Sequence, residues 1–143
     1  MLRRFAALDG RRRVLVTTAF AWVLAARFAL GASRGLSLPL QARLLGGLAG
    51  RVPALAACTV DDAVWAVTAA ARRVPGTRCL AWSLALRTLL AQARIDGELR
   101  IGVAPAAAGN IEAHAWVVAA GRDLTWGGDV ARYSVLRPRT AAP

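Results

Sequence analysis

A Pro-Gly break at Pro75 and Gly76, followed almost at once by a long apolar stretch over residues 79–94, constrains this chain more than any other feature. Proline and glycine end whatever element precedes them. Beyond Thr77 and Arg78 the polar positions reduce to Ser83, Arg87, Thr88, Gln92 and Arg94, a narrow stripe on a helix that is otherwise apolar. Such a helix must be buried on most of its surface, so it predicts the core helix around which the remaining elements pack. Cys79 opens it. A thiol in the first turn lies beside unpaired backbone N–H groups and the positive end of the helix dipole. With Arg78 adjacent, that setting favours the thiolate, and the same N–H groups are suited to a developing oxyanion.

At 143 residues the chain suits one domain with a sizeable core. It is 57% hydrophobic with a mean hydropathy of +0.43, largely from alanine and leucine, which leans the reading towards helix. All 19 basic residues are arginine, and the net charge is +11. The absence of lysine reads in part as codon bias, and the remaining charge favours an acidic partner. The arginines are scattered and accompany no groove-reading or base-stacking motif, so nucleic acid is not the expected partner. Cys58 and Cys79 are too few for a disulfide framework, although one bridge between them is the lesser alternative. Cys58, set among alanines, reads as a small core residue. With His114 the sole histidine, no zinc site can be composed, and no cofactor is expected.

Three arginines at 11–13 precede an uncharged run over residues 14–26, which Arg27 ends. The run is too short for a membrane span and predicts a packed helix. A secretory signal and a membrane-surface helix, with membrane contact as its consequence, are the alternatives. Residues 34–60 form a Gly- and Pro-punctuated connection with a short helix expected from Gln41. Asp61 or Asp62 caps a helix over residues 63–73, with acids at its start and arginines at its end. Residues 98–103 alternate, with Leu99, Ile101 and Val103 on the buried face of a strand. Residues 111–119 form a second strand. Ala120-Gly121 turns the chain, and residues 122–126 return as a third.

The chemistry that this pattern suits is a Cys79 nucleophile with His114, on the second strand, as its base and later acid. An orienting carboxylate completes such a site. If Ala120-Gly121 is a two-residue turn, Ala119 pairs with Arg122, and residues 125, 127 and 129 share the face of His114. Asp129 then lies diagonal to His114 if the strand continues past Gly127-Gly128. Asp123 would oppose Val118, about 13 Å away along the strand. Asp129 is therefore the better candidate, with capping of a last short helix as its structural alternative.

The blocks Cys79-Leu80-Ala81-Trp82-Ser83-Leu84-Ala85-Leu86, Ile95 to Val103, Ala113-His114-Ala115-Trp116-Val117 and Asp129 to Leu136 together resemble the transglutaminase-like leader peptidases of lasso-peptide biosynthesis. That resemblance covers residues 60–136 and implies an α+β, papain/transglutaminase-like fold: a helical N-terminal half, with the cysteine helix packed on a small antiparallel sheet. It divides the chain into a helical region 1–59, a core 60–136 and a loose tail 137–143. It implies a cytoplasmic cysteine peptidase that removes a leader before a cyclase joins the freed amine to an acidic side chain. Cys79 would be the nucleophile, His114 the base and Asp129 the third member. Some family members carry that aspartate near the position of Trp126, which leaves the third member open. Trp82 stands where members often have arginine, an expected change at the site entrance. The implied partners are the precursor peptide, a separate leader-recognition protein and the cyclase. A catalytically silent adaptor, acyl transfer to an amine and an arginine-rich surface binder are the competing readings.

Overall fold

The computed structural model describes residues 9–32 and 55–136; the short helix expected from Gln41 and the tail 137–143 lie outside them. Among the described residues three α-helices precede a four-stranded antiparallel sheet, so the arrangement is α+β as expected.

Helix α1, Gly10–Ala32, extends the uncharged run on both sides. At its start the Asp9 carboxylate accepts from the Arg12 amide at 2.7 Å. Arg27 does not end it, because the guanidinium reaches away to donate to the Pro75 carbonyl at 3.3 Å. The resulting helix is long and apolar enough, by length and composition, to cross a membrane, contrary to the expectation of too short a run. Here it packs: Leu15, Ala19, Val23 and Ala26 recur at helical spacing and are at most 4% exposed. That stripe lies against α2, Val60–Ala71, and α3, Cys79–Gln92.

The cap of α2 is Thr59 rather than Asp61 or Asp62. The Thr59 hydroxyl accepts from the Asp62 amide, and the Asp62 carboxylate accepts from the Thr59 amide, both at 3.1 Å. This reciprocal box satisfies two orphan amides and starts the helix earlier than two acids alone would. The carboxyl of Asp62 is held below its usual range, first by the Thr59 amide and further by Arg11 and Arg12.

In α3 two residues of the polar stripe face inward. Ser83 and Thr88 are buried; Thr88 donates to the Leu84 carbonyl at 2.8 Å and Ser83 reaches the sheet. Trp82 is fully buried and donates to Thr68 of α2 at 3.2 Å, so it is a core residue and not part of a site entrance. Arg94, at φ 60°, closes the helix, with the Ile95 amide donating back to Leu90 at 2.9 Å.

The sheet runs in the order β3-β2-β1-β4, with β1 Glu98–Pro105, β2 Ile111–Ala119, β3 Arg122–Leu124 and β4 Ser134–Val135. The Ala120-Gly121 turn has positive φ at both residues, and Ala119 opposes Arg122, the register expected for a two-residue turn. Two features differ from expectation. β3 stops at Leu124 instead of Trp126, and the most buried positions of β1 are Gly102 and Ala104, not the alternating aliphatics. The cause is Tyr133, which packs with Trp116 and Ala104. A Cβ at Gly102 would lie 2.8 Å from the Tyr133 Cβ and 2.9 Å from the Trp116 ring, so the face that carries Gly102 is covered.

Candidate active site

Cys79 is the first residue of α3 and is half-buried. Arg78, in the cap position, is extended at φ −117° and ψ 172° and makes no capping bond with its side chain. Thr77 is not a cap either, because its hydroxyl donates to the Val74 carbonyl at 2.8 Å and closes the preceding turn. The first-turn amides of α3 therefore have no side-chain acceptor among the described residues. Gly76, at φ +73°, admits the Arg27 guanidinium beneath this turn; a Cβ there would lie 2.5 Å from Arg27 Nη2.

Ser83 lies one turn beyond Cys79 and donates from Oγ to the Ala115 carbonyl at 3.0 Å, a fully buried bond. It brings the end of α3 that carries Cys79 to the stretch of β2 that carries His114. The His114 ring is 8% exposed and stacks on Tyr133 at 5.1 Å between centroids, with Trp116 at 6.2 Å on its strand. Tyr133 is itself tied down: its hydroxyl donates to one Glu112 oxygen at 2.8 Å, while Arg132 donates to the other at 2.7 Å.

The electrostatics follow from these contacts. Burial pushes the His114 titration below the ordinary imidazole value, Glu112 opposes that shift, and Arg132 adds to it. The Tyr133 phenol is pushed up, chiefly by its bond to Glu112 and then by burial; the Cys79 sulfur, within electrostatic reach, adds the smallest contribution.

On the far side of the ring, Nε2 of His114 lies 2.6 Å from the Thr125 hydroxyl, which also bonds the Gly127 carbonyl at 2.8 Å. Neither aspartate meets the ring by hydrogen bond. The Asp129 carboxylate accepts from the Ala131 amide at 3.0 Å and caps the short 3-10 turn Val130–Arg132. The physical reason is that the strand does not continue: Gly127 and Gly128, at φ +80° and +82°, carry the chain off the sheet before Asp129 is reached. Gly128 instead passes over the imidazole, its Cβ direction 3.8 Å from Cε1 and Nε2. Asp123 accepts from the Trp116 indole at 2.9 Å.

Thr125, Glu112, Arg132 and Tyr133 were not singled out as site residues from the sequence. Two signals were available. The hairpin count already places residue 125 on the His114 face, but a search for carboxylates passes over a hydroxyl. Glu112 lies two residues before His114, on the same face of the same strand. Tyr133 carries no such signal, since its place depends on the loop that follows β3.

Among the described residues no three His, Cys, Asp or Glu side chains gather as a metal site, and Cys58 and Cys79 are both free thiols. Burial, followed by the nearby Asp62, pushes the Cys58 thiol up. The arrangement provides a half-buried sulfur at an uncapped helix start and an imidazole immobilised on the neighbouring strand. Comparison with known proteins gives one match: the family model described as the transglutaminase-like superfamily, over residues 14–138. No curated protein and no solved structure matches the chain.

Proposed function

The chain belongs to the transglutaminase-like superfamily, and from that premise we propose that it is a cysteine peptidase that removes the leader from a lasso-peptide precursor. The superfamily commonly has cysteine-peptidase activity. The observation that supports the reading is the buried Ser83–Ala115 bond, which ties α3 one turn beyond Cys79 to β2 one residue beyond His114.

In this mechanism His114 takes the thiol proton of Cys79, and the sulfur attacks the carbonyl of the leader–core peptide bond. The first-turn amides of α3 hold the oxyanion, a role that their freedom from side-chain acceptors supports. His114 then donates its proton to the leaving amine of the core peptide. Water activated by the same imidazole hydrolyses the thioester and restores the thiol. The depressed His114 titration suits a base that must be neutral near pH 7. Asp129 serves by capping the turn that delivers Tyr133 to the ring.

Substrate presentation falls to a separate leader-recognition protein, with the cyclase acting next on the freed amine, all in the cytoplasm. A net charge of +11 favours an acidic leader or partner. The test is mass-spectrometric analysis of precursor peptide incubated with wild type, Cys79→Ala and His114→Ala, with and without the recognition protein. A single cut at the leader–core junction, lost in both variants, is the expected result. Cleavage that persists in Cys79→Ala defeats the mechanism. Tight precursor binding without cleavage by wild type replaces the peptidase with a binding protein on the same fold.

A further inference from the structure

The Thr125 hydroxyl has one proton and two close neighbours. The Gly127 carbonyl, 2.8 Å away, is an acceptor only, so the hydroxyl proton must be donated there. The 2.6 Å contact to His114 then has a single consistent assignment: Nε2 carries a hydrogen and donates it to the Thr125 oxygen. In a neutral imidazole, hydrogen on Nε2 leaves Nδ1 with the free lone pair. Among the described residues no hydrogen bond engages Nδ1. We infer that Thr125 is a positioning residue, which holds His114 in the Nε2–H tautomer with Nδ1 as its basic nitrogen and does so where a carboxylate would be looked for.

The arrangement is closed on every side that matters. Tyr133 and Trp116 stack with the ring and Gly128 passes over its Nε2 edge, so rotation about the side-chain bonds is blocked and the Thr125 bond sets direction as well as tautomer. The proton balance is simple. The S–H bond of Cys79 breaks and an Nδ1–H bond forms. The imidazolium keeps its Nε2–H donated to Thr125, the threonine proton stays on its own oxygen, donated to the Gly127 carbonyl, and Nδ1 later releases its proton to the leaving amine. No proton moves through Thr125. A neutral hydroxyl stabilises the imidazolium less than a carboxylate would, which agrees with a ring that burial holds below the ordinary value in spite of Glu112.

The inference rests on His114 as general base for its catalytic meaning, but its structural content is measurable without turnover. His114 is the only histidine in the chain, so its two ring nitrogens are read without overlap in nitrogen-15 long-range correlation spectra. Wild type at neutral pH is expected to show hydrogen on Nε2 and an unprotonated Nδ1. Thr125→Val removes the acceptor at nearly equal volume; it should give a mixture of tautomers and lower kcat/KM for peptide cleavage about tenfold or more, a part of what a positioned base contributes. Thr125→Ser should restore both the spectrum and most of the rate. Wild type with hydrogen on Nδ1, or a Thr125→Val spectrum identical to wild type, overturns the inference. The wild-type spectrum decides the tautomer even if the valine variant does not fold. Absence of peptidase activity in a wild type that shows the Nε2–H form would refute the proposed function and leave the positioning role of Thr125 standing.

Discussion

Helices α2 and α3 lie on either side of one short turn and begin in opposite ways. The start of α2 is closed: Thr59 and Asp62 satisfy each other's amides, Asp61 adds a second negative charge, and Arg122 reaches Asp61 from the hairpin at 2.8 Å. The start of α3 is open: its cap is Arg78, its first turn contains no acid, and its first residue is Cys79. Ordinary capping is worth about 1 kcal/mol, and α3 forgoes it. A carboxylate at residue 78 would occupy the amides that an oxyanion needs and oppose the positive helix end beside the sulfur. The contrast teaches that the same local element serves stability in one place and chemistry in the other, and that what marks the second is a missing residue as much as a present one.

The most severe way to break the contrast is to remove the chemistry from the open end. Cys79→Ala should lower precursor cleavage by at least about a thousandfold, and His114→Ala by about a hundredfold or more, both read by mass spectrometry. Giving α3 the cap it lacks is the next test. Arg78→Asp should raise the urea midpoint through a gain of about 1 kcal/mol while lowering the cleavage rate roughly tenfold. Equal or faster cleavage by that variant would show that the open end is accidental. Opening the closed end is the mirror experiment: Thr59→Ala should cost about 1 kcal/mol by urea unfolding and leave the cleavage rate unchanged.

The pH response sharpens the comparison further. The base must be neutral to act, and burial lowers its titration, so the acid limb of kcat/KM should fall at a pH below the ordinary imidazole value of 6.5. Stability falls in the same direction. Between the unfolded value and the lower folded one, the unfolded chain binds a proton that the native ring refuses. The fold should therefore lose stability as pH drops through about 6.5, and His114→Gln should reduce that loss. The smallest expected effect belongs to Arg122→Ala. It removes an ion pair whose partners are 51% and 80% exposed, and the midpoint should hardly move.

Much of this was legible along the chain. The break at Pro75-Gly76, the buried character of α3 and the position of Cys79 at its start follow from neighbours within a turn. So does the register of the β2–β3 hairpin, because Ala120 and Gly121 admit the two positive φ values that a two-residue turn demands. The Thr59 cap was readable but hidden by the two acids that follow it. Arg27 was read as the end of the uncharged run, yet the helix continues past it and the Pro75 carbonyl receives its guanidinium. The alternation of β1 puts Gly102 on the face away from Leu99, Ile101 and Val103, and it is the place where Tyr133 enters.

The sequence by itself determined where helices start and how the hairpin turns, because these rest on backbone hydrogen bonds and dihedral limits between residues a few positions apart. Only the tertiary structure decided which oxygen meets His114. Between Leu124 and Ser134 no ladder bond constrains the chain, and two glycines with positive φ turn it off the sheet. From that point the path is set by what the loop packs against, Tyr133 over Gly102 and the Asp129 cap, and no spacing in the sequence encodes a contact that depends on packing between distant segments.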